Sequence, residues 1–122
     1  MSKAEYLTGA NLALIVCTIA MLSFGQVLFK TASSHLVLSQ PSTWLTVPLV
    51  AALAIYGLAT VTWLVVLSRV PLSFAFPFYG LSFLLVPVAA AIFLGEPLRW
   101  QTLAGGLVIL MGIALTGWKP QA

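Results

Sequence analysis

The sequence predicts an all-α membrane protein in which four transmembrane helices form one small bundle that works as a dimer. Three observations predict it. Of the 122 residues, 61% are hydrophobic and 6% charged, whereas about 25% of a soluble domain is charged. The apolar residues fall into four stretches, about 8–29, 44–67, 72–94 and 98–118. Each is near the ~20 residues that a helix rising 1.5 Å per residue needs to cross a hydrocarbon core of roughly 30 Å. The segments between them are short, the longest running from about Lys30 to Thr43, so residues 1–122 form a single domain. Inside a bilayer no water satisfies backbone amides, and each stretch must close its own hydrogen bonds as a helix.

The first span is longer than the apolar core of a secretory signal, and no clear small-x-small cleavage site precedes Lys30, so it is read as retained. Cys17 lies alone in mid-span and reads as a small apolar residue, with no second cysteine for a disulfide. The span ends in LSFGQVLFK, which places Ser23, Gln26 and Lys30 at i, i+3 and i+7 on one stripe. Polar groups inside a membrane are expensive and call for a functional hypothesis. Two readings stay open. In one, Lys30 snorkels to the headgroups and Gln26 bonds a neighbouring helix; in the other, both hold a polar or anionic head group that enters between helices.

In the second span Tyr56, Thr60 and Trp63 share a face, which suits a sugar or an amphipathic ligand and equally suits packing and an interfacial belt. Trp44 and Trp63 bracket much of this span, as Trp100 and Trp118 bracket the fourth. The third span contains FAFPFYGLSFLLVPV, with Gly80 between Pro77 and Pro87. A proline inside a helix removes a backbone bond and kinks the axis, which opens cavities. The span closes on AIFLGEP, whose Glu96 is one of two acids in the chain, the other being Glu5. Glu96 precedes the fourth helix, whose positive terminus stabilises an acid. It also shares a membrane face with Lys30 and Arg99, and handling of a ligand or proton is the alternative. In the fourth span, GGLVILMG sets Gly105 and Gly112 on one face, a seam for a second subunit.

The net charge of +3 is spread over both faces, which excludes a nucleic-acid patch and fits anchoring to anionic headgroups. Lys3, Arg69 and Lys119 fall on one side and Lys30 and Arg99 on the other, which places both termini in the cytoplasm by a margin of one and leaves dual insertion open. No phosphate loop, metal-spaced cluster or nucleophile with its base can be assembled. His35, the one histidine, lies in a hydrophilic linker and reads as interfacial. No enzyme, cofactor or metal is expected, and any transport must run on an ion gradient or on the gradient of the substrate.

The motifs GQVLFK, WLVVLSRVPLSFAFP, LGEP and GGLVILMG, weak singly, are specific in this order and spacing across nearly the whole chain. Together they resemble the small four-helix branch of the drug/metabolite transporter superfamily, which includes small multidrug resistance and EamA-type proteins. The nearest likeness is to the paired small subunits of the aminoarabinose-phosphoundecaprenol flippase. One departure bears on mechanism. Drug/proton antiporters of the small multidrug resistance family carry a glutamate in the first helix, eight residues before its closing lysine; here that place is Leu22. The resemblance therefore implies a multi-pass protein of the bacterial inner (cytoplasmic) membrane that moves a polyprenyl-phosphate-linked sugar, or a related anionic amphiphile, between leaflets. It implies a homodimer or a heterodimer with a similar small subunit.

On charge alone, Lys30 and Arg69 are candidate phosphate partners near opposite faces, with Gln26 and Tyr79 as head-group contacts; Arg69 equally reads as a loop charge that sets orientation. Two other functions stay open: a metabolite or drug exporter that titrates Glu96, and an accessory subunit that docks a partner through the fourth helix.

Overall fold

The computed structural model describes residues 8–117; Lys3, Glu5, Trp118 and Lys119, and the readings that rest on them, lie outside these. Four apolar rods result. Helix α1 spans Gly9–Ser33, capped by Thr8, whose hydroxyl accepts the Asn11 N–H at 3.1 Å. It runs past the expected end at residue 29, which places Lys30 in its last turn. The reason lies in the polar residues there: the hydroxyls of Thr31, Ser33 and Ser34 donate to the carbonyls of Val27, Lys30 and Thr31. A cation in this turn also matches the negative end of the helix.

The linker contains a 3-10 turn, Pro41–Thr43, and the Trp44 indole N–H donates to Val37 O at 3.2 Å. Trp44 therefore belongs to the linker, and α2 spans Val47–Arg69 instead of 44–67. Thr46 caps its start, and it stops because Val70 precedes Pro71 and is held extended at φ −135, ψ 154.

The third rod, α3, covers Leu72–Leu94 as expected. The two prolines at which kinks are expected behave differently. Around Pro77 the rod changes to 3-10 helix over Phe76–Leu81, whereas Ser82–Leu94 runs through Pro87 as unbroken α-helix. Pro77 cannot donate an N–H to the α ladder. Gly80 brings the same stretch against the fourth rod, where an added Cβ would overlap Ile113 and stand 3.1 Å from Leu110 Cδ2. The rod ends at Gly95, which takes the left-handed conformation (φ 69), and the Glu96 N–H reaches back to Ala90 O at 3.3 Å.

Helix α4 spans Trp100–Gly117, starting after the expected residue 98. Glu96 thus caps the end of α3 through its backbone N–H, and Pro97, Leu98 and Arg99 lead from it to the first turn of α4.

Among the described residues, three helices are long and apolar enough to cross a membrane, and the apolar Trp100–Leu115 is shorter. The result is an all-helical four-helix membrane bundle. Leu53, Leu64, Ile92 and Met111 face outward, as lipid-facing side chains do. Helix α1 packs on α2 and α3, and α4 packs chiefly on α3. The core gathers Ile15 and Ile19 from α1, Val66 and Val70 at the end of α2, and Ala75 at the start of α3. Trp63, partly buried, packs against this core and meets Tyr79 edge-on at 5.0 Å. Thr18 and Thr62 join α1 to α2 through hydroxyls 2.8 Å apart.

Candidate functional site

The apolar core fills the end of the bundle where α2 passes into α3. At the opposite end the rods part. Phe93, in the last turn of α3, meets Phe24 of α1 edge-on at 5.9 Å, so α3 stops while α1 continues to Ser33. The gap is a groove with two parts, which share Gln26 and Val86 in their walls.

The inner chamber, about 440 Å³, is lined by Ser23 and Gln26 of α1, Tyr56 of α2, and Tyr79 and Ser82 of α3. Leu22, Phe83, Val86 and Pro87 complete it with apolar surface. That volume falls within the roughly 300–1,000 Å³ of small-molecule sites. The polar side chains are held in defined roles. Gln26 Nε2 donates to the Tyr56 hydroxyl, which leaves the phenolic proton for another acceptor. The Ser23 hydroxyl donates to Ile19 O at 2.8 Å and that of Ser82 to Tyr79 O at 2.7 Å. Both serines therefore present oxygen lone pairs to the chamber. The Tyr79 ring is held between Trp63, at 5.0 Å, and Phe76, at 5.4 Å.

The mouth, about 320 Å³, is lined by Gln26, Val27, Lys30, Val86, Ala90, Leu94 and Glu96. One cation and one anion thus stand at the rim of a chamber whose described lining is uncharged. A head group with hydroxyls and a phosphate fits this order: donors and acceptors inside, an ammonium at the rim, and apolar walls continuous with lipid.

Six of the eight residues singled out as ligand contacts come together here: Ser23, Gln26, Lys30, Tyr56, Tyr79 and Glu96. Thr60 does not join them; it is exposed, and its hydroxyl donates to Tyr56 O at 2.8 Å. Arg69 lies in the last turn of α2, about 20 Å along the helix from Tyr56 at 1.5 Å per residue. Arg99 is in neither lining. Sequence reasoning missed Ser82 and Gly25. Ser82 had a signal, since it follows Tyr79 at i+3 on one helical face. Gly25 entered only as the first residue of the GQVLFK motif, with no role assigned to it.

On the fourth rod, Gly106 faces inward, where an added Cβ would stand 2.6 Å from Leu84 Cδ2. Gly105 and Gly112 are exposed, and a Cβ at either meets nothing within 4 Å.

Residues 1–118 match the EamA-like transporter family. The chain is 37% identical over 110 residues to a Pseudomonas aeruginosa (strain LESB58) protein named "Probable 4-amino-4-deoxy-L-arabinose-phosphoundecaprenol flippase subunit ArnE", covering 86% of this chain and 95% of the relative. It is 36% identical over 93 residues to the subunit of the same name from Escherichia coli O157:H7, covering 76% and 84%. The corresponding subunit ArnF of Erwinia tasmaniensis is 43% identical over 75 residues, covering 60% and 59%. No solved structure matches the chain.

Proposed function

Because this chain belongs to the EamA-like transporter family, we propose that it is a small subunit of an inner-membrane flippase that carries the head group of a polyprenyl-phosphate-linked sugar between leaflets. The observation that carries the proposal is the groove: uncharged hydrogen-bonding side chains inside, Lys30 at the rim, and apolar walls of Leu22, Phe83, Val86 and Pro87. Moving a sugar phosphate through hydrocarbon strips it of water, and an unsatisfied polar group there costs several kcal/mol. The chamber replaces part of that water. Tyr56 and Gln26 supply donors, Ser23 and Ser82 supply acceptors, and Lys30 offers a charged hydrogen bond to phosphate, about twice as strong as a neutral one. The polyprenyl tail stays in the bilayer along the apolar wall.

The names of the relatives agree with this substrate class and with a second small subunit. The exposed Gly105 and Gly112 on α4 leave a face on which a homologous helix can approach closely. With both termini cytoplasmic, Lys30 and Glu96 open the groove toward the periplasm. The absence of an acid at Leu22 separates this mechanism from exchange of protons against cationic drugs.

The test is a leaflet-accessibility assay in proteoliposomes with a labelled undecaprenyl-phosphate sugar. Lys30→Ala abolishes transfer if the cation meets the phosphate; transfer at the wild-type rate in that variant refutes the assignment.

A further inference from the structure

Gly25 is buried in α1, one residue before Gln26 and one turn before Phe29. An added Cβ at this position would stand 2.6 Å from Cε2 and 2.7 Å from Cδ2 of Tyr56, well inside the 3.5–4.0 Å at which carbon atoms pack. The Tyr56 ring thus occupies the space that a side chain at residue 25 would fill. The Phe29 ring lies against it, with centroids 4.9 Å apart, and Gln26 donates to its hydroxyl. One turn of α1 therefore grips a single tyrosine of α2 from three directions. Glycine is a poorer helix former than alanine, so its presence in mid-helix at this contact has a local reason.

We propose that Gly25 is a positioning residue for substrate: by leaving room for the Tyr56 ring, it sets where the phenolic O–H stands in the chamber and so tunes recognition of the head group. The proposal rests on the reading of the groove as the head-group site. A methyl group at residue 25 must push the ring about 1 Å away from α1 to restore ordinary packing. Misplacement of a functional group by that distance costs on the order of a hundredfold in demanding geometries.

The experiment is a double-mutant cycle on the full chain in lipid nanodiscs, with affinity for undecaprenyl-phosphate 4-amino-4-deoxy-L-arabinose measured by native mass spectrometry. Gly25→Ala is expected to weaken binding about tenfold or more in the Tyr56 background and to have no further effect in the Tyr56→Ala background, where no ring is left to displace. Gly57→Ala, next to Tyr56 on α2, is the control, because a Cβ there meets nothing within 4 Å. With 3-fluorotyrosine at position 56, the fluorine resonance shifts in Gly25→Ala and stays in place in Gly57→Ala.

Equal losses in both backgrounds, or no loss in either, overturn the proposal. If Tyr56→Phe and Tyr56→Ala both bind as wild type, the groove reading itself fails, and the proposal fails with it. If Tyr56→Phe weakens binding while Gly25→Ala does not, only the positioning role fails. Should Gly25→Ala not accumulate in membranes, recovery of the Gly25→Ala/Tyr56→Ala protein supports the proposal, and its failure to accumulate counts against it.

Discussion

Gln26 of α1 donates a hydrogen bond to the hydroxyl of Tyr56 on α2, and both side chains line the same chamber. The contact fixes the tyrosine while leaving its phenolic proton without a claim from Gln26. Of the two readings of Gln26 open at the level of sequence, the bond to a neighbouring helix is observed; the proposed head-group contact would use the same side chain.

Tyr56→Phe separates the two roles. The ring keeps its contacts with Gly25 and Phe29, and only the hydroxyl is lost. A net hydrogen bond of about 1 kcal/mol corresponds to a five- to tenfold loss of affinity. Native mass spectrometry with the labelled lipid reads this loss, and thermal unfolding in detergent is expected to change by only a few degrees.

Lys30 tests charge. Loss of a charged hydrogen bond costs about 1.5–3 kcal/mol, so Lys30→Ala is expected to weaken phosphate-lipid binding tenfold to more than a hundredfold. Lys30→Arg keeps the charge and most of the affinity. Arg69→Ala, at the other end of α2, leaves binding near wild type if the groove alone holds the head group. Titration of the three variants against undecaprenyl phosphate decides.

Leu22 stands where the small multidrug resistance antiporters that the sequence resembles carry a glutamate, and it lies in the chamber wall. Leu22→Glu places an anion where a phosphate-bearing head group has to pass. Transfer in the leaflet assay is expected to fall at least tenfold, whereas Leu22→Met, which keeps volume and apolarity, costs little. Restored or enhanced transfer in Leu22→Glu would show that an acid is compatible with this cargo.

The glycines of α4 predict opposite outcomes on opposite faces. Gly106→Ala forces a methyl group against Leu84 and is expected to destabilise the chain by about 1–3 kcal/mol, as overpacked sites do. Gly105→Leu and Gly112→Leu meet open space and leave the thermal midpoint unchanged, but reduce the fraction of paired subunits seen by native mass spectrometry. Full pairing in both leucine variants would place the partner elsewhere.

Much of this arrangement was legible in the sequence because membrane insertion leaves few choices. Long apolar runs must be helices, and the i, i+3, i+7 spacing of Ser23, Gln26 and Lys30 sets them on one stripe whatever the tertiary fold. What the spacing cannot encode is which neighbour each stripe meets. Thr60 shares the face of Tyr56 in sequence, yet it is exposed and bonded to its own backbone, because the chamber closes at Tyr56. Trp63 reads in sequence as an interfacial residue, and the spacing gives no sign that its ring meets Tyr79 of the third rod. The cap made by Gly95 and Glu96 was visible as LGEP; its role as the end of α3 depended on where the next helix begins. Gly25 was visible as the head of GQVLFK, but its contact was not, because the ring it makes room for lies thirty-one residues away in the chain.

Photo-crosslinking tests the central claim most directly. A benzophenone side chain in place of Phe83, in the chamber wall, is compared with one in place of Val108, exposed on α4, each in proteoliposomes with labelled undecaprenyl-phosphate 4-amino-4-deoxy-L-arabinose. The account predicts labelling at residue 83 that is competed by unlabelled lipid and lost in Lys30→Ala, with only uncompeted background at residue 108. Equal labelling at both positions, indifferent to competitor and to Lys30, would contradict it.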